Sequence, residues 1–306
     1  MPLERKQINI TDNLDFFARQ VVEGFLTGLH KSPYHGFSVE FAEHRLYNPG
    51  ESTKNIDWKL FARSDKLFVK KFEDETNLRS HILIDTSSSM QYPMSLSHDE
   101  SKLTFSLYAA ACLIHLFHKQ RDGFGLTLYN EVIDFFAPAR SNKVHYNHLI
   151  SKLDSMLSFS KQKKNKKTNF QAVISDFIEK IPKRSLVIIF SDMFNFDDKQ
   201  PDQWLEALQH LRYRKNEVIL FHVQDSSEKL LDLPNQPYEF VDLENNNSIK
   251  LNPSTHRENY KKLYSEFEKK LELYCGQYSI DYVPAFIQQG FNKILVSYLT
   301  KRSKLF

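Results

Sequence analysis

From His81 to the C-terminus, short apolar runs of strand length alternate with longer stretches whose apolar residues recur at helical spacing. The pattern predicts strands at 81–85, 186–190, 218–223 and 281–286. It also predicts a hairpin pairing 125–129 with 132–136 around Asn130-Glu131. Helices are predicted at 101–118, 145–157, 169–181, 201–214, 255–274 and 291–300, the third of them stopped by Pro182. The runs at 186–190 and 218–223 are almost continuously apolar, as strands covered on both faces must be. Strands alternating with helices imply right-handed crossovers, and therefore a doubly wound, mainly parallel sheet of the α/β class. The hairpin supplies one antiparallel edge strand.

Ahead of this region the pattern differs. Leu14, Phe17, Val21, Val22, Phe25 and Leu29 predict a helix over 11–29 that Thr11 and Asp12 can cap. Strands at 37–47 and 67–72 flank the turn signal Asn48-Pro49-Gly50, and the charges Glu73-Asp74-Glu75 mark a boundary. The chain thus reads as residues 1–78 and residues 79–306. The first part has too few periodic apolar positions for a core of its own. It is expected to pack on the second as a helix and strand extension. The stretch 225–253, rich in Asn, Pro and Asp, reads as a long connection with one strand near 237–243.

Composition narrows the function classes. A chain of 306 residues with 41% hydrophobic and 26% charged residues can bury a sizeable core. A net charge of +3 is no argument for nucleic acid. Cys112 and Cys275 are the two cysteines, which excludes a disulfide scaffold and a four-cysteine zinc site. Cys112 reads as core and Cys275, beside Gly276, as partly exposed. No apolar run approaches the ~20 residues of a membrane span, and no apolar signal core follows Met1. The expected location is cytoplasmic.

The strongest chemical signal is Asp85-Thr86-Ser87-Ser88-Ser89, directly after the first strand of the second region. Oxygen donors alone, at the carboxyl end of a strand, suit a hard cation such as Mg²⁺. In open α/β sheets, ligands bind where strand order reverses. If the 186–190 strand lies beside the 81–85 strand, Ser191-Asp192 and Lys167-Thr168-Asn169 flank the same crevice. Asp85, Ser87, Ser89, Thr168 and Asp192 then converge on one ion.

This five-position pattern, with the element order of residues 80–306, resembles the metal-ion-dependent adhesion site of von Willebrand factor A domains, whose fold is of the Rossmann type. The resemblance implies Ser87, Ser89 and Thr168 as direct ligands of Mg²⁺ (Mn²⁺ or Ca²⁺ being the alternatives). Asp85 and Asp192 act directly or through water, and one coordination position stays open for a partner's acid. Lys166-Lys167 depart from that family, in which glycines are common there. In the first part, Gly36 to Phe41, Arg45, Tyr47, Pro49-Gly50, Ile56-Asp57-Trp58-Lys59 and Ala62-Arg63 resemble the signature of a bacterial family known as domain of unknown function 58. Members are often encoded beside MoxR-type AAA+ ATPases. The resemblance implies a non-enzymatic adaptor for such an ATPase and a client protein in complex assembly. Glu40, Arg45, Asp57 and Arg63 read as ion pairs fixing that segment, and Tyr47 and Trp58 as packing residues.

Two alternatives remain at this level. A metal-dependent hydrolase needs a general base, and the histidines near these loops in sequence are His81 and His98. Nucleic-acid binding through Lys161 to Lys167 lacks interleaved aromatics beyond Phe159. The pairs His115/His118 and His145/His148 lack further zinc ligands. Neither a nucleophile elbow nor a phosphate loop is present.

Overall fold

The computed structural model describes residues 13–30, 44–46, 61–63, 67–70, 78–93, 101–159, 167–194, 203–231, 233–245 and 247–305. The chain divides into two compact units: Leu26–Asn77, and Met1–Phe25 together with Leu78–Phe306. In the smaller unit, β1 (His44–Leu46) and β2 (Phe68–Lys70) form an antiparallel pair. Both lie inside the predicted strands. The signature residues Gly36 to Phe41, Tyr47, Pro49-Gly50 and Ile56 to Lys59 lie outside the described residues.

The larger unit holds a six-stranded sheet in the order β10-β7-β6-β3-β4-β5. These strands are β3 (Arg79–Asp85), β4 (Gly123–Tyr129), β5 (Ile133–Arg140), β6 (Leu186–Ser191), β7 (Glu217–Gln224) and β10 (Asp281–Phe286). Every neighbour pair is parallel except β4–β5, the hairpin, which puts β5 antiparallel at one edge. The α/β class and the mainly parallel sheet are as the alternation predicts. From β3 the chain runs through α2 (Lys102–Lys119) to β4 on one side, and later returns through α4 (Phe170–Lys180) to β6 on the other. Strand order therefore reverses between β3 and β6.

Period-two alternation splits the sheet into two apolar faces. Leu83, Val187, Ile189, Val218 and Leu220 pack under α4, α5 (Gln203–Tyr213) and α7 (Pro253–Gln277). The buried Ile82 and Ile84 alternate with Leu83 and face the other way. On that side α2, buried along nearly its whole length, meets α1 (Leu14–His30) and α8 (Asn292–Leu305) through Phe17, Tyr108, Phe105 and Phe291. α3 (Lys143–Phe159) joins α2 through a Tyr146–His115 hydrogen bond of 3.0 Å. Thr11 and Asp12 lie outside the described residues; α1 is capped by Asn13, whose Oδ1 accepts the Phe16 N–H (3.1 Å). Cys112 and Cys275 are both buried, so the expected exposure of Cys275 is corrected: its place on α7 turns it into the core. Among the described residues no helix is long and apolar enough to cross a membrane.

The 225–253 connection is more ordered than its composition suggested. It holds a short helix α6 (Ser226–Leu230) and a separate two-stranded hairpin, β8 (Tyr238–Val241) with β9 (Ser248–Leu251).

His81 shows what burial does to a titratable group in this core. Its ring is 1% exposed, sits against Phe136 and Phe177, and neither nitrogen finds a hydrogen-bond partner. Gly125 on β4 leaves it room, since a Cβ there would lie 2.4 Å from the ring. Burial, then the nearby His145, lowers its pKa to about 4. The unfolded chain takes up this proton near 6.5, so stability present at neutral pH is lost as pH falls from 6.5 toward 4. The full loss is roughly 3 kcal/mol at 1.36 kcal/mol per pK unit. His81→Leu should flatten the pH dependence of urea unfolding between pH 7 and 4; an unchanged slope would refute this.

Candidate metal centre

The cleft forms where β3 and β6 end side by side. Asp85 is the last residue of β3 and is buried. Its Oδ1 accepts the Ser87 N–H (2.9 Å), which curls the loop back on the strand end. Thr86 fastens that loop to β4, donating both its N–H (2.7 Å) and its hydroxyl (2.8 Å) to the Tyr129 carbonyl. Ser87 Oγ and Ser89 Oγ lie 3.0 Å apart and share a hydrogen bond, and Met90 buries the short turn that follows.

The second loop arrives at the start of α4. Asn169 caps that helix, its Oδ1 accepting the Ala172 N–H (3.1 Å), and its own N–H donates to the Asn130 carbonyl (3.2 Å). This leaves Thr168 directed at β3, where its hydroxyl donates to Asp85 Oδ1 (3.4 Å). The third loop leaves β6. The Ser191 hydroxyl donates to Asp85 Oδ2 (2.9 Å) and accepts the Met193 N–H (2.9 Å). Met193 sits at φ 54°, a left-handed conformation that L residues adopt at a cost and that clusters at functional sites. The sharp bend turns Asp192 inward, where it is 1% exposed.

Asp85, Ser87, Ser89 and Thr168 are thus linked by hydrogen bonds, and Asp192 stands near enough to act on Asp85. Burial, then the Asp192 charge, raises the Asp85 pKa, and the Ser87 and Ser191 hydrogen bonds offset only part of the rise. A recess of about 10 Å³ lies among Asp85, Thr168 and Ser191. That is about the room of one water molecule. Among the described residues no three His, Cys, Asp or Glu side chains are gathered closely enough to hold an ion alone, so hydroxyls must contribute. The donor set is oxygen throughout, which fits a hard divalent cation and not zinc or copper.

Sequence reasoning missed several residues here. Lys102, the first residue of α2, is fully buried, and its ammonium donates to Asp192 Oδ2 (2.7 Å) and Glu228 Oε2 (3.0 Å). Burial alone would lower its pKa, but Asp192 and Glu228 outweigh that and hold it charged. The buried cation is therefore Lys102. Lys167 is exposed, and Lys166 lies outside the described residues. Whereas His81 is buried against Phe136 and Phe177 and His98 lies outside the described residues, His222, on β7, stands against the third loop. Its Nε2 lies 3.0 Å from the Asp192 carbonyl, which can only accept, so Nε2 carries the proton. Nδ1 then accepts from the Tyr282 hydroxyl and the Gln224 amide, each at 2.8 Å. Burial lowers its pKa to about 4. Glu244, in the β8–β9 turn, completes the set. It borders a cleft of about 620 Å³ whose wall also includes Ser89, Thr168, Phe194, Glu228 and Tyr260.

Fold and site together define an α/β protein with an oxygen-lined cleft at the switch point of its sheet. The chain belongs to the family described as protein of unknown function DUF58, whose model matches residues 43–270. Curated relatives include the uncharacterized protein Rv1480 of Mycobacterium tuberculosis and the uncharacterized protein Mb1516 of Mycobacterium bovis. Each is 23% identical over 212 residues, which is 69% of this chain and 63% of the relative. The match therefore spans less than two thirds of those relatives' length. Among solved structures, the conserved hypothetical protein BatB from Bacteroides thetaiotaomicron is 13% identical with a TM-score of 0.45, over 74% of this chain and 99% of that one. An aerotolerance-related membrane protein from Bacteroides fragilis is 15% identical with a TM-score of 0.42, over 73% of this chain and 99% of that one.

Proposed function

We propose that the large unit is a von Willebrand A-like domain with a metal-ion-dependent adhesion site, and that the protein is a non-enzymatic module capturing an acidic group of a partner protein. The observation that carries this reading is the convergence of hydroxyls and carboxylates from three separate loops on Asp85, at the β3/β6 switch point. Ser87, Ser89 and Thr168 would hold a divalent ion directly, with Asp85 and Asp192 supplying negative charge. The ion, when bound, supplies positive charge toward a partner's carboxylate. Lys102 does not make it superfluous: the lysine's hydrogen bonds go to Asp192 and Glu228, and Asp85 keeps its raised pKa in its presence. The resemblance to the family extends the proposal to a cytoplasmic adaptor working with a MoxR-type ATPase.

Among the described residues His222 is the histidine beside the Asp192 loop, and both its nitrogens are engaged, which counts against its serving as a hydrolase's general base. The test is affinity capture with the wild-type chain and Ser87→Ala, in Mg²⁺ and in chelator. Specific partners should be retained by wild type in Mg²⁺ alone, and at least about tenfold less by Ser87→Ala. Capture that persists unchanged in chelator and in the variant overturns the metal bridge. Loss of a captured molecule with time, abolished by the variant, would favour hydrolysis.

A further inference from the structure

We propose that Glu244 is an additional ligand of this cation site, and that the β8–β9 hairpin carries it as an internal stand-in for the partner's acid. The inference deepens the adhesion-site reading and rests on it.

The turn is built to aim this side chain. Asp242 Oδ1 accepts the N–H groups of Glu244 (2.8 Å) and Asn245 (3.2 Å), and its Oδ2 accepts the Asn245 side-chain amide (2.9 Å). With the backbone so fixed, Glu244 faces Ser89 and Thr168 across the shared cleft. Its Oε1 is buried and has no hydrogen-bond partner. A buried carboxylate oxygen left unpaired is unfavourable unless something supplies the missing positive partner. Among the described residues of the hairpin nothing does so; Lys167 lines the same cleft but is exposed, and the buried charges acting on Glu244 are Asp85 and Asp192, of its own sign. Its carboxylate is in hydrogen-bond contact with the Ser89 side chain and the Thr168 N–H, which bring it to the hydroxyl cluster. A cation at the Ser87–Ser89–Thr168 cluster would relieve all three carboxylates at once.

The carrier suits a removable occupant. β8 and β9 pair with each other and not with the six-stranded sheet. Val241 and Ile249 are 50% and 60% exposed, so the hairpin buries little. Two-stranded hairpins of this kind are marginal without packing. A partner acid would therefore enter by displacing Glu244 and lifting the hairpin, which makes capture selective for partners that also engage the exposed strand surface.

The experiment uses the full chain and Mn²⁺ alone. Affinity is read from the free-Mn²⁺ paramagnetic signal, and hydration of bound Mn²⁺ from water proton relaxation. Wild type, Glu244→Gln, Glu244→Asp and Ser87→Ala are compared, each first shown by circular dichroism to be folded. Glu244→Gln should bind Mn²⁺ about tenfold more weakly and show higher relaxivity, because a water replaces the lost carboxylate. Glu244→Asp should fall between Gln and wild type. Millimolar acetate should lower the relaxivity of the Mn²⁺-loaded Gln variant and leave wild type unchanged. Wild-type affinity and relaxivity in Glu244→Gln, with binding lost in Ser87→Ala, would overturn the role of Glu244 and leave the cation site standing. No Mn²⁺ binding by wild type would overturn both.

Discussion

Replacing Lys102 with methionine should destabilise the fold by about 3–5 kcal/mol, the range seen when one partner of a buried ion pair is removed. For a unit of this size that is roughly 10 °C in melting temperature. Lys102 has no exposed surface, and its ammonium lies between Asp192 (2.7 Å) and Glu228 (3.0 Å). Methionine fills much of the same volume, so the loss is of charge and not of packing. Asp192 would then keep its Phe194 N–H bond (3.2 Å) but lose its counter-ion, with Glu228 pressing a like charge from across the gap. Protonating the two carboxylates is the remaining escape, so the variant should recover stability as pH falls. Urea unfolding of the full chain measures the effect. Adding Asp192→Asn to Lys102→Met should restore part of the loss, because a neutral amide needs no counter-ion. Purely additive losses would show that the two side chains are not coupled.

Why this lysine escaped sequence reading is instructive. A cation in a helix's first turn opposes the helix dipole, and that conflict was the one local signal available. Ser101-Lys102 otherwise reads as an ordinary capped helix start, and Asp192 lies ninety positions away along the chain. The sheet was legible because its strands are continuous apolar runs, and their mainly parallel direction followed from the alternation with helices. Asp85, Ser87 and Ser89 were legible because they are contiguous. Thr168 and Asp192 were found by assuming that the β6 strand lies beside β3, as it does. Ser191 stood next to Asp192 and was passed over, though its hydroxyl, not the Asp192 carboxylate, is what bonds Asp85. His222 was hidden inside an apolar strand. Glu244 was hidden in a polar stretch whose composition matches any solvated loop; its role depends on a turn fixed by Asp242 and on a cleft that no local pattern encodes.

Asp85→Asn should abolish stabilisation by divalent metal, so that adding the metal reverses the stability ranking of variant and wild type. In chelator, the wild-type carboxyl keeps its proton to a higher pH when folded than when unfolded, because burial and then Asp192 raise its pKa. Between the ordinary carboxylate pKa and that raised value the folded state binds more protons, so stability falls as pH rises through this window. At pH 7 wild type carries the full penalty, and asparagine carries none. Asparagine also keeps an acceptor for the Ser87 N–H, and the Ser191 hydroxyl can turn to accept from its amide. The variant should therefore be more stable than wild type at pH 7 in chelator, by an amount on the order of 1 kcal/mol or more. The difference should shrink toward pH 4. With Mg²⁺ at a thousandfold excess over its Kd, wild type should gain about 4.1 kcal/mol. The variant, lacking the carboxylate to which Ser87, Thr168 and Ser191 are all bonded, should gain almost nothing. Melting curves at pH 7 would then cross: variant above wild type in chelator, wild type above variant in Mg²⁺. Equal stabilisation of both by Mg²⁺ would place the ion elsewhere. A variant less stable than wild type in chelator would mean that the hydrogen bonds to Asp85 outweigh its burial, making it a structural anchor of the three loops and not a charge held in wait for a cation.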